Sequence, residues 1–208
     1  MLTDKQIRMA QLLDKQVAKC TKCSLVSNGK CVPFWTPKSK YAIIGQSPSY
    51  REVNKRIPFS SPSGDILTSV LGKSGFKASE FLIINSVQCR SDVRNFGKPT
   101  PDQLDKCHDF IRKYLKVIRP EKVLCLGNYG KHIFTNNVIG VMRQRGSFVE
   151  YDLGHDTTIP VLCTISPSYC IHNRDEGLVM LEEDIELFKS THFQRVSDWL
   201  LSEEDFLV

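Results

Sequence analysis

Four short runs along the chain are apolar at nearly every position: Tyr41–Gly45 (YAIIG), Phe81–Val87 (FLIINSV), Lys122–Gly127 (KVLCLG) and Pro160–Ile165 (PVLCTI). Strands with one solvated face alternate apolar and polar residues, whereas strands covered on both faces are apolar throughout. These runs therefore predict a buried parallel sheet. The intervening segments carry helical patterning. Residues 4–19 set Ile7, Ala10, Leu12, Leu13 and Val17 among charged positions, which predicts an amphipathic helix ending near Cys20. Thr100-Pro101-Asp102-Gln103 combines a cap residue, proline at the first helical position and a capping-box glutamine, and starts a helix that runs to about Ile118. Further helices are expected over roughly 64–74, 128–136 and 177–190. Strands alternating with helices make a three-layer α/β/α domain over residues 1–190, with a central, mostly parallel four-stranded sheet. Residues 191–208 form an acidic C-terminal extension, read as a short docking helix or a partly ordered tail.

Residues 1–119 hold 21 Lys/Arg against 9 Asp/Glu, while residues 120–208 hold 7 against 14, so a net +5 divides into +12 and −7. A basic first part suits a polyanionic partner, because Lys and Arg neutralising phosphates supply most non-specific nucleic-acid affinity. The apolar runs are too short to span a bilayer and the N-terminus lacks an apolar signal core, so the expectation is a cytoplasmic protein with no membrane partner.

Eight cysteines are many for such a compartment, where structural disulfides are rare. Cys20 and Cys23 form a CxxC pair, and Cys89 and Cys107 lie far downstream. A CxxC chelates from one loop, and two distant thiolates close the shell across a fold, in a manner open to zinc or to an iron–sulfur cluster. Cys125 and Cys163 fall inside strand runs and read as buried small hydrophobes, while Cys31 and Cys170 lie in loops.

Three of the four apolar runs end in unusual loops: Gly45-Gln46-Ser47-Pro48-Ser49-Tyr50, Asn85-Ser86-Val87-Gln88-Cys89-Arg90 and Ser166-Pro167-Ser168-Tyr169. Ligands of parallel α/β sheets bind beyond the carboxyl ends of the strands, so the three loops are expected to share one site.

From Cys20 to Asn173 the chain resembles the family-4 uracil-DNA glycosylases, the iron–sulfur branch of that superfamily. The resemblance is carried by Cys20/Cys23, the Gly45-x-x-Pro48 loop, Pro58-Phe59 followed by Gly64 and Leu67, and Asn85-x-x-x-Cys89-Arg90. It continues through Cys107, Leu126-Gly127, Arg145-Gly146 and the Pro-Ser-Tyr loop at 167–169. It implies a [4Fe–4S] cluster on Cys20, Cys23, Cys89 and Cys107, with zinc as the alternative. It also implies that Phe59 stacks a flipped base, that Asn85 reads its edge, and that Gly45, Gln46 and Ser47 belong to a first catalytic loop facing sugar and base. Residues 166–172 match a second catalytic loop, in which Ser166 supports the leaving base and Ser168 and Ile171 meet the DNA. Arg90, Arg143 and Arg145 are the candidate phosphate contacts.

Two positions depart from the family's pattern. Its usual Gly-Glu-Ala-Pro-Gly reads Gly45-Gln46-Ser47-Pro48-Ser49 here, with Glu52 and Asp65 as the nearby acids, and its His-Pro-Ser loop reads Ser166-Pro167-Ser168, with His172 six residues on. The chemistry therefore stays open at this level. One reading is a base-excision hydrolase acting on uracil or a related pyrimidine in DNA. The other is a glycosylase-like module that binds modified DNA, or replication and repair proteins, without cutting; a zinc-stabilised fold unrelated to bases comes third. A monomer is expected.

Overall fold

The computed structural model describes residues 1–95, 97–134, 140–154 and 157–193. It holds five strands rather than four: β1 (Tyr41–Gly45), β2 (Phe81–Asn85), β3 (Val123–Leu126), β4 (Phe148–Gly154) and β5 (Thr157–Thr164), in the spatial order β2-β1-β3-β5-β4. The strands β2, β1, β3 and β5 are parallel, and β4 pairs antiparallel with β5 at the edge. These four parallel strands correspond to the apolar runs. The fifth, β4, carries Glu150 and Asp152 on its exposed side, and its mixed pattern hides it in the sequence.

Side chains of the central strands alternate between two cores. Ala42, Ile44, Leu82 and Ile84 pack with Ala10, Leu13 and Val17 of α1 (Asp4–Lys19) and with Phe110, Ile111, Tyr114 and Leu115 of α4 (Pro101–Ile118). Ile43, Phe81 and Leu124 face the other way, onto Leu67 and Val70 of α3 (Pro62–Lys73) and Leu181, Ile185 and Phe188 of α8 (Arg174–Ser190). Helices on both faces of the sheet make the α/β/α sandwich and explain why the strands are apolar at every position.

The cap predicted for α4 forms: Thr100 N–H donates to Gln103 Oε1 at 2.9 Å and Gln103 N–H to Thr100 Oγ1 at 3.4 Å. The segments expected at 64–74, 128–136 and 177–190 become α3, α5 (Gly127–His132) and α8; residues 135 and 136 lie outside the described residues. Three short helices were not legible: α2 (Tyr50–Lys55), α6 (Val141–Gln144) and α7 (Tyr169–His172). Of the C-terminal extension, Thr191 to Phe193 are described: Lys122 Nζ donates to Thr191 O at 2.8 Å, and the Phe193 ring meets Phe148 edge-on at 4.9 Å. Residues 194–208 lie outside the described residues. Among the described residues no helix is long and apolar enough to cross a membrane.

Candidate functional site

The ends of β1 and β2 lie side by side, with Gly45 in register with Asn85. Beyond them the two loops are joined by hydrogen bonds. Ser86 N–H donates to Gly45 O at 2.8 Å and Val87 N–H to Gln46 O at 3.1 Å. Ser86 Oγ donates to Gly45 O and also reaches Tyr129 O on α5, at 2.7 and 2.9 Å, so the loop after β3 joins the same edge. These buried bonds fix the loops to one another, and a preorganised site needs this.

Phe59 and Asn85 meet over Gly45. A Cβ on Gly45 would stand 2.5 Å from Asn85 Oδ1 and 2.7 Å from Phe59 Cζ, so the missing side chain leaves the space into which both groups project. Phe59 is held there by unusual backbone. Its φ of 56° lies in the left-handed region, which costs a bulky residue about 1–3 kcal/mol and persists only when the surroundings impose it. Gly64 supplies part of that imposition: a Cβ there would come 1.8 Å from the Phe59 carbonyl oxygen, so the turn can lie flat on the first turn of α3 only over glycine. Asn85 is buried, 3% exposed, and its carboxamide points to the same place as the ring.

The other predicted residues divide. Gln46 is half-buried and its Nε2 donates to Gly97 O at 2.8 Å, which ties the 92–98 loop to the first loop. Ser47 is half-buried between β1 and α2. Ser166 stands across β3 from Gly45, in contact range of Gly127, where a Cβ would lie 3.1 Å from Ser166 Cβ. Its Oγ shares a 2.7 Å hydrogen bond with Ser168 Oγ. Ser168, Ile171 and His172 are exposed at α7, and Arg143 is exposed on α6. Arg90 lies over the Tyr50 ring, its guanidinium carbon 5.6 Å from the centroid, beside the start of α2.

Two groups are committed elsewhere, and a third is exposed. Arg145 donates to Asp184 Oδ2 and Glu183 Oε2 at 3.0 Å each and to Met180 O at 2.7 Å, so this guanidinium fastens the end of α6 to α8 rather than standing free for phosphate. Glu52 is buried and accepts from Ser49 N–H at 2.5 Å in the capping box of α2. Asp65 is exposed on the first turn of α3.

Beside the loops lies a cavity lined by Cys20, Cys23, Cys89 and Cys107 together, with Val17, Val26 and Phe110 as its apolar wall and Lys22, Lys30 and Lys106 at its margin. Burial pushes the Cys89 thiol up to about 12, with the nearby Cys107 adding to the rise and Lys30 opposing it. Cys107 is raised by burial as well, against a hydrogen bond from the Gln88 amide N–H. Among the described residues no three His, Cys, Asp or Glu side chains form a group that could hold a metal ion. The remaining thiols have other surroundings. Cys125 and Cys163 are buried in register on β3 and β5 with their sulfurs 3.3 Å apart, Cys170 is buried, and Cys31, buried near Glu52, is pushed up to about 12.

The sequence did not single out Gln88, which lies between Asn85 and Cys89 and touches both regions, nor Tyr50 beneath Arg90. Gln88's position between a base-edge candidate and a ligand candidate was the available signal.

The sequence pattern of the uracil DNA glycosylase superfamily matches residues 32–200, beginning downstream of Cys20 and Cys23. Among curated proteins, the type-4 uracil-DNA glycosylase of Archaeoglobus fulgidus is 30% identical over 124 residues, 59% of this chain and 61% of the relative. The type-4 uracil-DNA glycosylase of Pyrobaculum aerophilum is 27% identical over 119 residues, 56% of this chain and 60% of the relative. The chain thus spans about three fifths of the length of these relatives.

Proposed function

This chain belongs to the uracil DNA glycosylase superfamily, and from that premise we propose that it removes uracil, or a related modified pyrimidine, from DNA by hydrolysing the N-glycosidic bond and leaving an abasic site. The observation that carries the reading is the convergence of Phe59 and Asn85 over Gly45. A base inside a duplex must leave the stack to be attacked, and a flat ring beside an amide suits a flipped pyrimidine: the ring supplies dispersion, and the carboxamide pairs with a carbonyl and a ring N–H together.

As the glycosidic bond breaks, the base gathers negative charge, and hydrogen-bond donors aimed at it lower the barrier. Ser166 Oγ and the backbone N–H groups of the first loop are the donors this chain offers. With Gln46 Nε2 engaged by Gly97, its Oε1 is the acceptor that orients the attacking water. No carboxylate stands at residue 47, and Glu52 is occupied by Ser49, so the reaction relies on donors and orientation more than on a general base. Arg90, Arg143, Ser168 and Ile171 are the DNA contacts in this reading, and Arg145 drops out of it. The alternative of a module that binds without cutting is not favoured, since both relatives are named as glycosylases.

The cysteine centre is the second part of the proposal. Four thiols around one partly apolar cavity fit a [4Fe–4S] cluster on Cys20, Cys23, Cys89 and Cys107. The four thiols share one cavity without forming a group that could hold a single metal ion, a donor set that would suit a multinuclear cluster better than one zinc ion. When bound, the cluster supplies structural cross-linking; the residues themselves tie the segment after α1 and helix α4 to the exit of β2.

The test is incubation with a uracil-containing oligonucleotide followed by alkali, with iron measured in the same preparation. Strand breakage by an iron-containing, brown protein is expected. DNA retention at low salt without breakage would move the chain to the binding module, and zinc in place of iron would remove the cluster.

A further inference from the structure

Gln88 reaches both halves of the site. Its side chain is 3% exposed, and its Nε2 donates to the backbone carbonyl of Asn85. Gln88 lines the cavity together with Cys20, Cys23, Cys89 and Cys107, its own carbonyl accepts from Cys31 N–H at 2.9 Å, and the next residue is Cys89. The side-chain bond closes the four-residue segment Asn85–Gln88 into a ring. The same segment sends Ser86 and Val87 N–H groups to Gly45 and Gln46. The carboxamide of Asn85 must face Phe59 to within a fraction of an ångström, and a short chain segment bonded at both ends transmits displacement from one end to the other.

We propose that Gln88 is a positioning residue that holds Asn85 in register with Phe59 by anchoring the β2 exit loop to the cysteine centre. The assignment rests on the base-excision reading above. Gln88 touches no base: it acts through the Asn85 carbonyl on one side and through the Cys31 amide and the adjoining Cys89 on the other. Removing the side-chain donor frees the Asn85 carbonyl and loosens the segment, while Cys107, held in α4, and Cys89, bridged to Lys30, stay in place.

Gln88→Met keeps the length and the apolar stem but deletes the donor, and Gln88→Ala deletes the side chain. Two readouts are taken on the full chain, beside melting temperature and iron content. Steady-state cleavage of a uracil oligonucleotide is expected to show kcat falling about a hundredfold in Gln88→Met with KM changed far less, the size of loss that a small misplacement brings. Hydrogen exchange at the Ser86 and Val87 amides, which are bonded to Gly45 and Gln46, is expected to quicken at least tenfold in both variants, with iron content and the exchange of β1 amides unchanged. Wild-type kcat in Gln88→Met with a normal melting temperature overturns the assignment. If the wild-type chain cleaves nothing, the base-excision reading fails by itself, and the exchange measurement still decides Gln88: unaltered protection at Ser86 and Val87 overturns its role.

Discussion

The carboxamide of Asn85 and the ring of Phe59 come together over the Cα of Gly45, close enough that a methyl group on residue 45 would stand 2.5 Å from the one and 2.7 Å from the other. The two residues reach this point by different routes. Asn85 is placed by strand register, while Phe59 is placed by a left-handed turn laid over Gly64.

Gly45→Ala tests that relationship without removing either partner. Both obstructing atoms are the far ends of side chains and residue 45 has ordinary backbone, so the methyl displaces the pocket more than the fold. Cleavage of uracil oligonucleotide should fall by at least about a hundredfold. Urea denaturation should show a loss of only about 1–3 kcal/mol, the usual cost of one added methyl in a packed site. Full activity in the variant would mean that the base lies elsewhere.

Arg143 and Arg145 are two residues apart and should behave oppositely. Arg145→Met leaves the buried carboxylate of Asp184 without its ion pair, and should destabilise by about 3 kcal/mol in denaturant melts while the salt dependence of DNA binding stays the same. Arg143→Gln, at an exposed position, should leave stability unchanged and lower the slope of log K against log salt by about one.

His108 should make stability fall on acidification. Its ring contacts Tyr151 Oη at 2.9 Å across α4 and β4, and burial holds its pKa below 6.5, with Arg112 and His132 depressing it further and Asp105 and Asp109 opposing. A depressed folded pKa means that the unfolded chain takes up the proton first. The stability is therefore complete above pH 6.5 and is lost as the pH drops below that value toward the folded pKa. Thermal melts between pH 7.5 and 5.5 should fall more steeply for the wild type than for His108→Gln. Parallel curves would remove His108 from the acid sensitivity.

Ser166→Ala removes a hydroxyl that is shared with Ser168 and stands by Gly127. If that hydroxyl supports the departing base, kcat should drop by about 10²–10³ with KM nearly constant. A drop in KM affinity alone would assign Ser166 to DNA binding.

Much of the fold was written in the chain because burial dictates composition. Ile43 and Ile44 face different cores, so both had to be apolar, and the run YAIIG announced a central strand. Strand β4 escaped because an edge strand with one wet side tolerates Glu150 and Asp152. The placement of the candidate site was legible where local motif and strand end coincide, as at Gly45 and Asn85. It was illegible where the partner is remote: nothing near Arg145 announces Asp184, 39 residues on, as its partner. Nor does the local sequence reveal that Phe59 takes a left-handed backbone, since the reason lies in Gly64 packing beneath it.

The most direct test of the central claim is single-turnover cleavage of a uracil-containing oligonucleotide by the wild-type chain and by Asn85→Ala, with both proteins matched in melting temperature. Breakage by the wild type and a loss of about 10³ in the variant are expected, as for removal of a buried donor that reads and polarises the base. Equal rates in the two proteins would contradict it.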